Sequence, residues 1–342
     1  MTPARSKQDL NPKTKFWRSP YFRFGGSALI LILLLTYLPY RQVFATIQRI
    51  PPAVGLGLLG VYLALHLLGV LKWRLLINLA GADLTFSQAV RCYYWGLFGN
   101  IFLPSLVGGD LVRGGMAFLF TRSKPAIVLG SLMDRVQDVG GLLGVTIIGV
   151  LFLPGSLDYR SHKTIWTVAA VLAVGGLAGL GSLFVIPVRK FPFKLKRIMV
   201  KLRRGVLSMY RRPGRMAFCF FVGMLLQLSQ VAINYSLGEI TGLHLAFGLW
   251  LFAWPLAKLS ALLPVTQGGI GVREVALVSL LAPFGAPPVQ TAAVGLTFQA
   301  IVITGGLIGG ILALLMGRLS SSASASGRAH GKVGEFARSE AE

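Results

Sequence analysis

Two apolar regions of this 342-residue chain are interrupted by the same polar pattern, and the two copies lie 160 residues apart. In each copy a Leu-Pro pair is followed after three residues by Gly-Gly, and after three more by arginine. Paired Pro/Gly breaks at corresponding positions of two halves are typical of transporters, whose substrate site lies between internal repeats. The pattern therefore predicts two related halves with a site at their interface. The copies are Leu103-Pro104-x-x-x-Gly108-Gly109-x-x-x-Arg113 and Leu263-Pro264-x-x-x-Gly268-Gly269-x-x-x-Arg273.

The composition indicates whether the chain is surrounded by water or by lipid. Apolar residues make up 54% of the sequence, charged residues 13%, and the mean hydropathy is +0.69, which is too apolar for a soluble domain. A net charge of +23 can indicate nucleic-acid binding. Here, however, six basic residues fall in the first 23 positions and eleven in 188–215, beside apolar segments. This distribution is typical of the cytoplasmic loops of a membrane protein and argues against a nucleic-acid partner.

The lengths of the apolar segments predict an all-α polytopic membrane protein, because about 20 apolar helical residues cross a bilayer. Residues 86–121 and 244–284 differ from the other segments, since each has a break followed by a piece too short to cross. We predict that both are re-entrant helical hairpins lining a wet cavity, where non-helical backbone is tolerated. The six predicted spans are 24–40, 53–72, 126–153, 164–187, 216–240 and 290–316.

The loop charges predict the orientation. A basic N-terminus at 1–23 and the basic loop at 188–215 favour the cytoplasmic side, and the span count then places both termini there. Within a transmembrane domain at 24–316, the units at about 53–153 and 216–316 acquire inverted topology, which is the architecture of alternating access. Residues 188–215 are also expected to contact anionic lipid, and a disordered polar tail is expected at 317–342.

Ionisable residues inside predicted membrane segments are candidates for a substrate site, because burying them is costly. The helix after each Gly-Gly would direct its N–H groups and positive dipole end into the membrane, where they attract a phosphate. Arginine adds a fork suited to phosphate or carboxylate, and the carboxylates could balance it. A structural alternative is that the arginines and acids only pair with each other across the repeat interface. The predicted substrate-binding residues are Pro104, Gly108, Gly109, Asp110, Arg113, Asp134, Arg135, Asp138, Pro264, Gly268, Gly269, Arg273 and Glu274.

Other polar residues give weaker signals. Lys258 either lines the cavity or extends to the interface, whereas His66 and His244 lack metal-ligand spacing and are interpreted as structural. The amides Asn100, Gln227, Gln230 and Asn234 are expected to form hydrogen bonds between helices. No zinc motif, phosphate-binding P-loop or nucleophile elbow occurs in the sequence. We therefore expect no metal or cofactor and no enzymatic activity.

Three ordered motifs resemble the flippase-like transmembrane domain of lysylphosphatidylglycerol synthases, over roughly residues 20–316. They are residues 100–113, Ser131-Leu-Met-Asp134-Arg135, and residues 263–274. The resemblance implies a domain that moves aminoacylated phospholipid between leaflets in a bacterial or archaeal cytoplasmic membrane. The soluble synthetase domain of the two-part members has no counterpart here, so the resemblance implies translocation without aminoacyl transfer. Stand-alone relatives have been linked to several glycolipids, which leaves the lipid open.

The leading hypothesis from the sequence is a translocase for a phospholipid, glycolipid or polyprenyl-linked lipid with an anionic, aminoacylated or glycosylated headgroup. One alternative is a membrane-embedded transferase acting on a lipid-linked phosphate, with Mg²⁺ held by Asp110, Asp134 and Asp138. Against it, Arg135 lies between two of these aspartates and favours ion pairing. Another alternative is an accessory subunit that anchors a biosynthetic enzyme through the basic loop at 188–215.

Overall fold

The computed structural model describes residues 40–103, 108–121, 123–152, 211–261 and 269–339 and the single positions 200, 207 and 266, with side chains up to residue 318. Over these residues the chain is helical and contains no strand, as the sequence predicts. The helices are α1 (Tyr40–Gln48), α2 (Pro52–Leu79), α3 (Phe86–Phe102), α4 (Gly108–Ala117), α5 (Lys124–Leu151), α6 (Pro213–Thr241), α7 (Phe247–Ser260), α8 (Val272–Leu281) and α9 (Pro288–Ser339), with a 3₁₀ turn at Ala282–Phe284.

Three of the described helices are long and apolar enough to cross a bilayer, namely α2, α6 and α9. Both α2 and α6 have proline in the first turn, where its missing N–H costs no helical hydrogen bond. Helix α6 ends at Gly242, whose φ of 83° is the left-handed conformation that favours glycine. Large apolar side chains such as Leu56, Phe221 and Ile311 point outward on these helices, which suits a lipid surround. The predicted spans at 53–72, 216–240 and 290–316 correspond to these three helices.

Helix α5 is also 28 residues long, and it covers most of the predicted span at 126–153. It differs from the other long helices because it carries Asp134, Arg135 and Asp138 near its middle. The predicted spans at 24–40 and 164–187 lie outside the described residues, apart from Tyr40.

Each polar motif separates a longer helix from a shorter one. Helices α3 and α4 flank the first break, and α7 and α8 flank the second. The two breaks are not identical: α4 begins at Gly108, inside the motif, whereas α8 begins at Val272, after it. Arg113 therefore lies in the middle of α4, and Arg273 lies in the first turn of α8. Whether either pair is re-entrant in the membrane stays a prediction.

The packing relates the two halves, α2–α5 and α6–α9. Helix α3 of the first half packs against α9, and α7 of the second half packs against α5. Helices α2 and α6, which open the halves, also pack against each other. The last helix of each half therefore packs against the helix that precedes the break in the other half, α5 against α7 and α9 against α3. The inverted orientation of the halves relative to the membrane remains a prediction.

Glycines permit the closest of these contacts. A Cβ on Gly149 of α5 would lie 2.6 Å from the Leu251 carbonyl carbon of α7. On α9, a Cβ on Gly306 would lie 2.8 Å from Ile101 Cδ1 of α3. Small residues let helix backbones approach in this way, so the two contacts between the halves are tight.

The described chain is helical at both ends. Helix α9 extends to Ser339, into the polar tail at 317–342. The disorder of that tail stays a prediction. Helix α1 begins at the end of the predicted span at 24–40 and lies between that span and the next one at 53–72.

Candidate functional site

A cavity of about 180 Å³ lies between the two halves and contains most of the predicted site residues. Both helices before the breaks line it, together with α2, α4, α5, α6, α8 and α9. Glu274 is hydrogen-bonded to Arg273 but is not part of the cavity lining, and neither are Gly108 and Gly269. Pro104, Pro264 and Gly268 are outside the described residues. The predicted residues that line the cavity are Gly109, Asp110, Arg113, Asp134, Arg135, Asp138 and Arg273.

Asp134 is the centre of a charge network in the first half. It is buried on α5, and its two oxygens contact different cations. Oδ1 lies 3.0 Å from Lys72 Nζ, and Oδ2 accepts a hydrogen bond from Arg113 Nη2 at 2.9 Å. Lys72 Nζ also donates to Asp138 Oδ1 at 2.5 Å. Three helices, α2, α4 and α5, are thereby joined through one carboxylate.

Asp110 extends the network along the cavity. Arg113 Nη2 donates to Asp110 Oδ1 at 2.9 Å, one turn along α4, and Arg135 of α5 pairs with the other oxygen of Asp110. The network therefore contains three cations and three carboxylates, all in the first half. Removing one partner from such a buried network costs about 3–5 kcal/mol, because a charge is left uncompensated.

The two motif arginines have similar surroundings. The Arg113 guanidinium lies 4.7 Å from the Trp73 ring centre and 5.1 Å from that of Tyr93. The Arg273 guanidinium lies 5.1 Å from Trp254 and 5.4 Å from Phe298. Cation–π contacts of this kind are worth about 2 kcal/mol when desolvated. Both arginines are thus held between aromatic rings.

Arg273 has its own polar partners in the second half. Its Nη2 donates to Glu274 Oε1 at 2.7 Å and to Gln299 Oε1 at 2.8 Å. Glu274 is fully buried, and its Oε2 accepts the Gly271 N–H at 2.7 Å. Glu274 therefore caps α8 and neutralises Arg273 at the same time.

Asn100 has the corresponding role at the first break. Its Oδ1 accepts the Gly109 N–H at 2.7 Å, at the start of α4. The helix N-termini after the breaks are predicted to bind a phosphate, but at Gly109 and Gly271 a side chain of the protein already accepts the backbone N–H. Asn100 bonds between helices, as expected from the sequence, and only the folded chain shows that these are the two helices on either side of the break.

Lys258 differs from the other cations of the cavity. Its Nζ donates to Gln227 Oε1 at 2.8 Å and to Gln230 Oε1 at 2.7 Å, both on α6. It forms no ion pair with any residue that the structure describes. Lys258 lines the cavity, as one of its two sequence interpretations proposed, and so do both glutamines.

Lys72 is a charged residue of the cavity that was not predicted from the sequence. It lies at the end of the predicted span at 53–72, where a lysine usually marks the membrane surface. Helix α2 instead continues to Leu79, and only 2% of the Lys72 side chain is exposed. A Cβ on Gly223 of α6 would lie 3.1 Å from its Nζ, so this glycine leaves room for the ammonium. The sequence beyond residue 72 is still typical of a helix, and this could have indicated that Lys72 lies inside the helix and not at its end.

Both histidines contact a polar side chain. His66 lies beside the cavity, within hydrogen-bonding distance of the Tyr93 hydroxyl at 3.3 Å, and His244 contacts Glu239 at the surface. Among the described residues no cluster of His, Cys, Asp or Glu has the arrangement of a metal site. The aspartates considered for Mg²⁺ each have a lysine or arginine partner.

Comparisons with known proteins agree with the sequence and the fold. The family described as "Lysylphosphatidylglycerol synthase TM region" matches residues 22–310, which include both breaks and every charged residue of the cavity. The chain is also 22% identical, over 346 aligned residues, to a "UPF0104 membrane protein" of Methanothermobacter thermautotrophicus. That alignment covers 89% of this chain and 95% of the relative. The chain belongs to the family of the lysylphosphatidylglycerol synthase transmembrane region.

Proposed function

We propose that this protein is a lipid translocase that moves a lipid headgroup between leaflets through the cavity between its halves. The observation that carries the proposal is a cavity lined by charged side chains from both halves, in a helical membrane protein of a lipid-related family. A polar headgroup loses its hydrogen bonds to water when it enters hydrocarbon, at a cost of several kcal/mol per group. Charged and amide side chains along the route replace those bonds.

The size of the cavity is in keeping with a headgroup and not a whole lipid. Its volume of about 180 Å³ is below the range of about 300–1,000 Å³ for sites that enclose drug-sized ligands. The acyl or prenyl tails would therefore stay in the bilayer during transfer.

The location of the ion pairs supports relative movement of the halves. Lys72, Arg113 and Arg135 pair with acids of the first half, and Arg273 pairs with Glu274 of the second. Between described residues no ion pair joins the halves. A shift of one half against the other would thus expose the cavity to either leaflet without separating a buried charge pair.

The contacts of Arg113 and Arg273 favour a positioning role. We had expected both guanidiniums to bind a phosphate directly, but each already has an acidic partner and two aromatic neighbours. In the proposed mechanism they hold α4 and α8 beside the cavity, and the headgroup uses the remaining polar groups.

We place the protein in the cytoplasmic membrane, with both termini on the cytoplasmic side. The support is the charge distribution, with six basic residues in the first 23 and eleven in 188–215.

The geometry does not favour the transferase alternative, because Mg²⁺ would have to displace a cation from Asp110, Asp134 and Asp138. The basic loop of the accessory-subunit alternative lies mostly outside the described residues.

Leaflet exchange in proteoliposomes tests the translocase proposal. Fluorescent phospholipids with different headgroups are placed in both leaflets, and a membrane-impermeant reductant then quenches the outer label. Wild-type protein should allow quenching beyond half for at least one headgroup, whereas protein-free vesicles should stop at half. The Arg113→Gln/Arg273→Gln double variant should be inactive, and Lys124→Gln, which removes an exposed lysine at the start of α5, should be active. Exchange by a folded double variant at the wild-type rate would refute the role of the two arginines, and absence of exchange for all headgroups would refute translocation.

A further inference from the structure

The charges of the cavity do not balance, and the excess lies at one residue. In the first half, three cations face three carboxylates, and in the second half Arg273 faces Glu274. With every group ionised, these pairs are neutral as a set. Among the described residues, Lys258 is the remaining cation that lines the cavity, and its hydrogen-bond acceptors are two uncharged amides.

The surroundings of Lys258 strengthen the local positive potential. Asp138 and the cations Arg135, Arg273 and Lys72 line the same cavity, and Asp138 is the acid there that acts most on the Lys258 ammonium. Asp138 is already paired with Lys72. A partly buried ammonium without a counter-ion is costly, and an anion entering the cavity would relieve that cost.

A second donor lies one turn away on the same helix. Trp254 is four residues before Lys258, a spacing that places both on one face of α7. Its ring lines the cavity, and its buried indole N–H has no acceptor among the described residues. Buried N–H groups nearly always have an acceptor, so a ligand oxygen is a natural partner.

We propose that Lys258, with Gln227 and Gln230, binds the phosphate of a net-anionic lipid headgroup. An aminoacylated, net-cationic headgroup is disfavoured, because its ammonium would need a free carboxylate and the four acids of the site all have cationic partners. The inference rests on the proposed function only in taking a lipid as the occupant. It assigns the anion to a residue outside both polar motifs.

Native mass spectrometry of the full chain in detergent tests the assignment. Equal concentrations of phosphatidylglycerol, phosphatidylcholine and lysyl-phosphatidylglycerol are added, and the bound fraction of each is measured. Wild type should retain phosphatidylglycerol selectively, and Lys258→Gln should weaken that binding about tenfold or more, as expected for loss of a charged hydrogen-bond donor. Lys124→Gln removes the same charge from an exposed position and should bind as wild type. Equal retention by wild type and a folded Lys258→Gln variant, or preference for the lysyl lipid, would overturn the proposal.

Asp138→Asn provides a test of opposite sign if Lys258→Gln does not fold. It lowers the negative charge near the Lys258 ammonium and keeps the size of the side chain, while Lys72 retains Asp134 as its partner. Phosphatidylglycerol should therefore bind severalfold more tightly. Unchanged or weaker binding would count against the assignment. Inorganic phosphate is titrated in parallel: competition at millimolar concentration identifies a site for the free anion, which would contradict a lipid-specific occupant, and absence of competition supports the lipid.

The binding measurement separates this inference from the translocase proposal. Selective, Lys258-dependent binding without leaflet exchange would keep the anion site and refute translocation. Leaflet exchange that is independent of Lys258, with no selectivity for anionic lipid, would keep translocation and refute the anion site.

Discussion

At the scale of single residues, the cavity consists of groups with different partners. Asp134 uses both oxygens to hold Lys72 and Arg113, whereas Lys258 has only uncharged acceptors among the described residues. The first arrangement resists change because separating a buried pair leaves a bare charge. The second can accept a ligand without such a separation. Stability and binding are therefore expected to depend on different residues of the same cavity.

Asp134→Asn should destabilise the protein. The neutral amide keeps the shape of the side chain but leaves Lys72 and Arg113 short of one negative charge, at a cost of about 3–5 kcal/mol. Thermal unfolding in detergent, followed by circular dichroism, should show a clearly lower Tm. Asp83→Asn alters an exposed aspartate in the turn after α2 and should remain within about 0.5 kcal/mol of wild type. Equal Tm values for the two variants would contradict the central role of Asp134.

Arg113→Lys should also reduce stability, although it preserves the charge. Lysine lacks the planar fork that reaches Asp110 and Asp134 together, and it lies less well between Trp73 and Tyr93. Loss of one charged hydrogen bond corresponds to about 1.5–3 kcal/mol. The same thermal assay measures it, with Lys124→Arg as the reverse exchange at an exposed site. A wild-type Tm would show that charge alone is required at position 113.

At the scale of helices, close packing between the halves depends on glycine. Helix α5 meets α7 at Gly149, and α9 meets α3 at Gly306. These contacts position the helices before the two breaks, and those helices carry Asn100, Trp254 and Lys258 into the cavity. The glycines thus act on the site through helix placement and not through chemistry.

Gly149→Ala should destabilise the fold, because the new methyl group would overlap the backbone of Leu251 and Phe252. Overpacking of this kind costs about 1–3 kcal/mol. Gly144→Ala, on the same helix, is the matched control: its Cβ would lie 3.8 Å from the nearest atom, Met224 Sδ, and alanine is the better helix former. The control should therefore be as stable as wild type or slightly more stable. The opposite order of the two Tm values would refute tight α5–α7 packing.

At the scale of the whole molecule, each half packs one of its helices against the last helix of the other half. Helices α3 and α7 each pack on the last helix of the other half, and the cavity lies where these contacts and the α2–α6 contact meet. Ion pairs of the described cavity residues stay within a half, and apolar surfaces with glycines join the halves. In the proposed mechanism, the halves would shift against each other while the charge pattern inside each half is kept.

The predicted orientation is testable at this scale with a membrane-impermeant maleimide. Gln48→Cys is expected outside and Arg212→Cys in the cytoplasm, and both positions are exposed. In spheroplasts, only Gln48→Cys should react before permeabilisation. The native Cys92 and Cys219 are buried, so wild-type protein supplies the background. Reaction of both variants from the same side would show that the orientation is wrong.

By itself, the sequence determined that the protein lies in a membrane, that it is helical, where four long helices and the two breaks lie, and most of the charged residues of the cavity. These follow from segment length, hydropathy and local Pro/Gly chemistry, which act over short distances along the chain. Only the tertiary structure decided the partners: Lys72 with Asp134, Asn100 with the Gly109 N–H, and Lys258 with two glutamines instead of an acid. The physical reason is that side-chain pairing depends on how each helix is rotated and packed against helices distant in sequence. Helix α2 is an example: it continues beyond the predicted span to Leu79, so Lys72 lies in the cavity and not at the membrane surface as the predicted span implied.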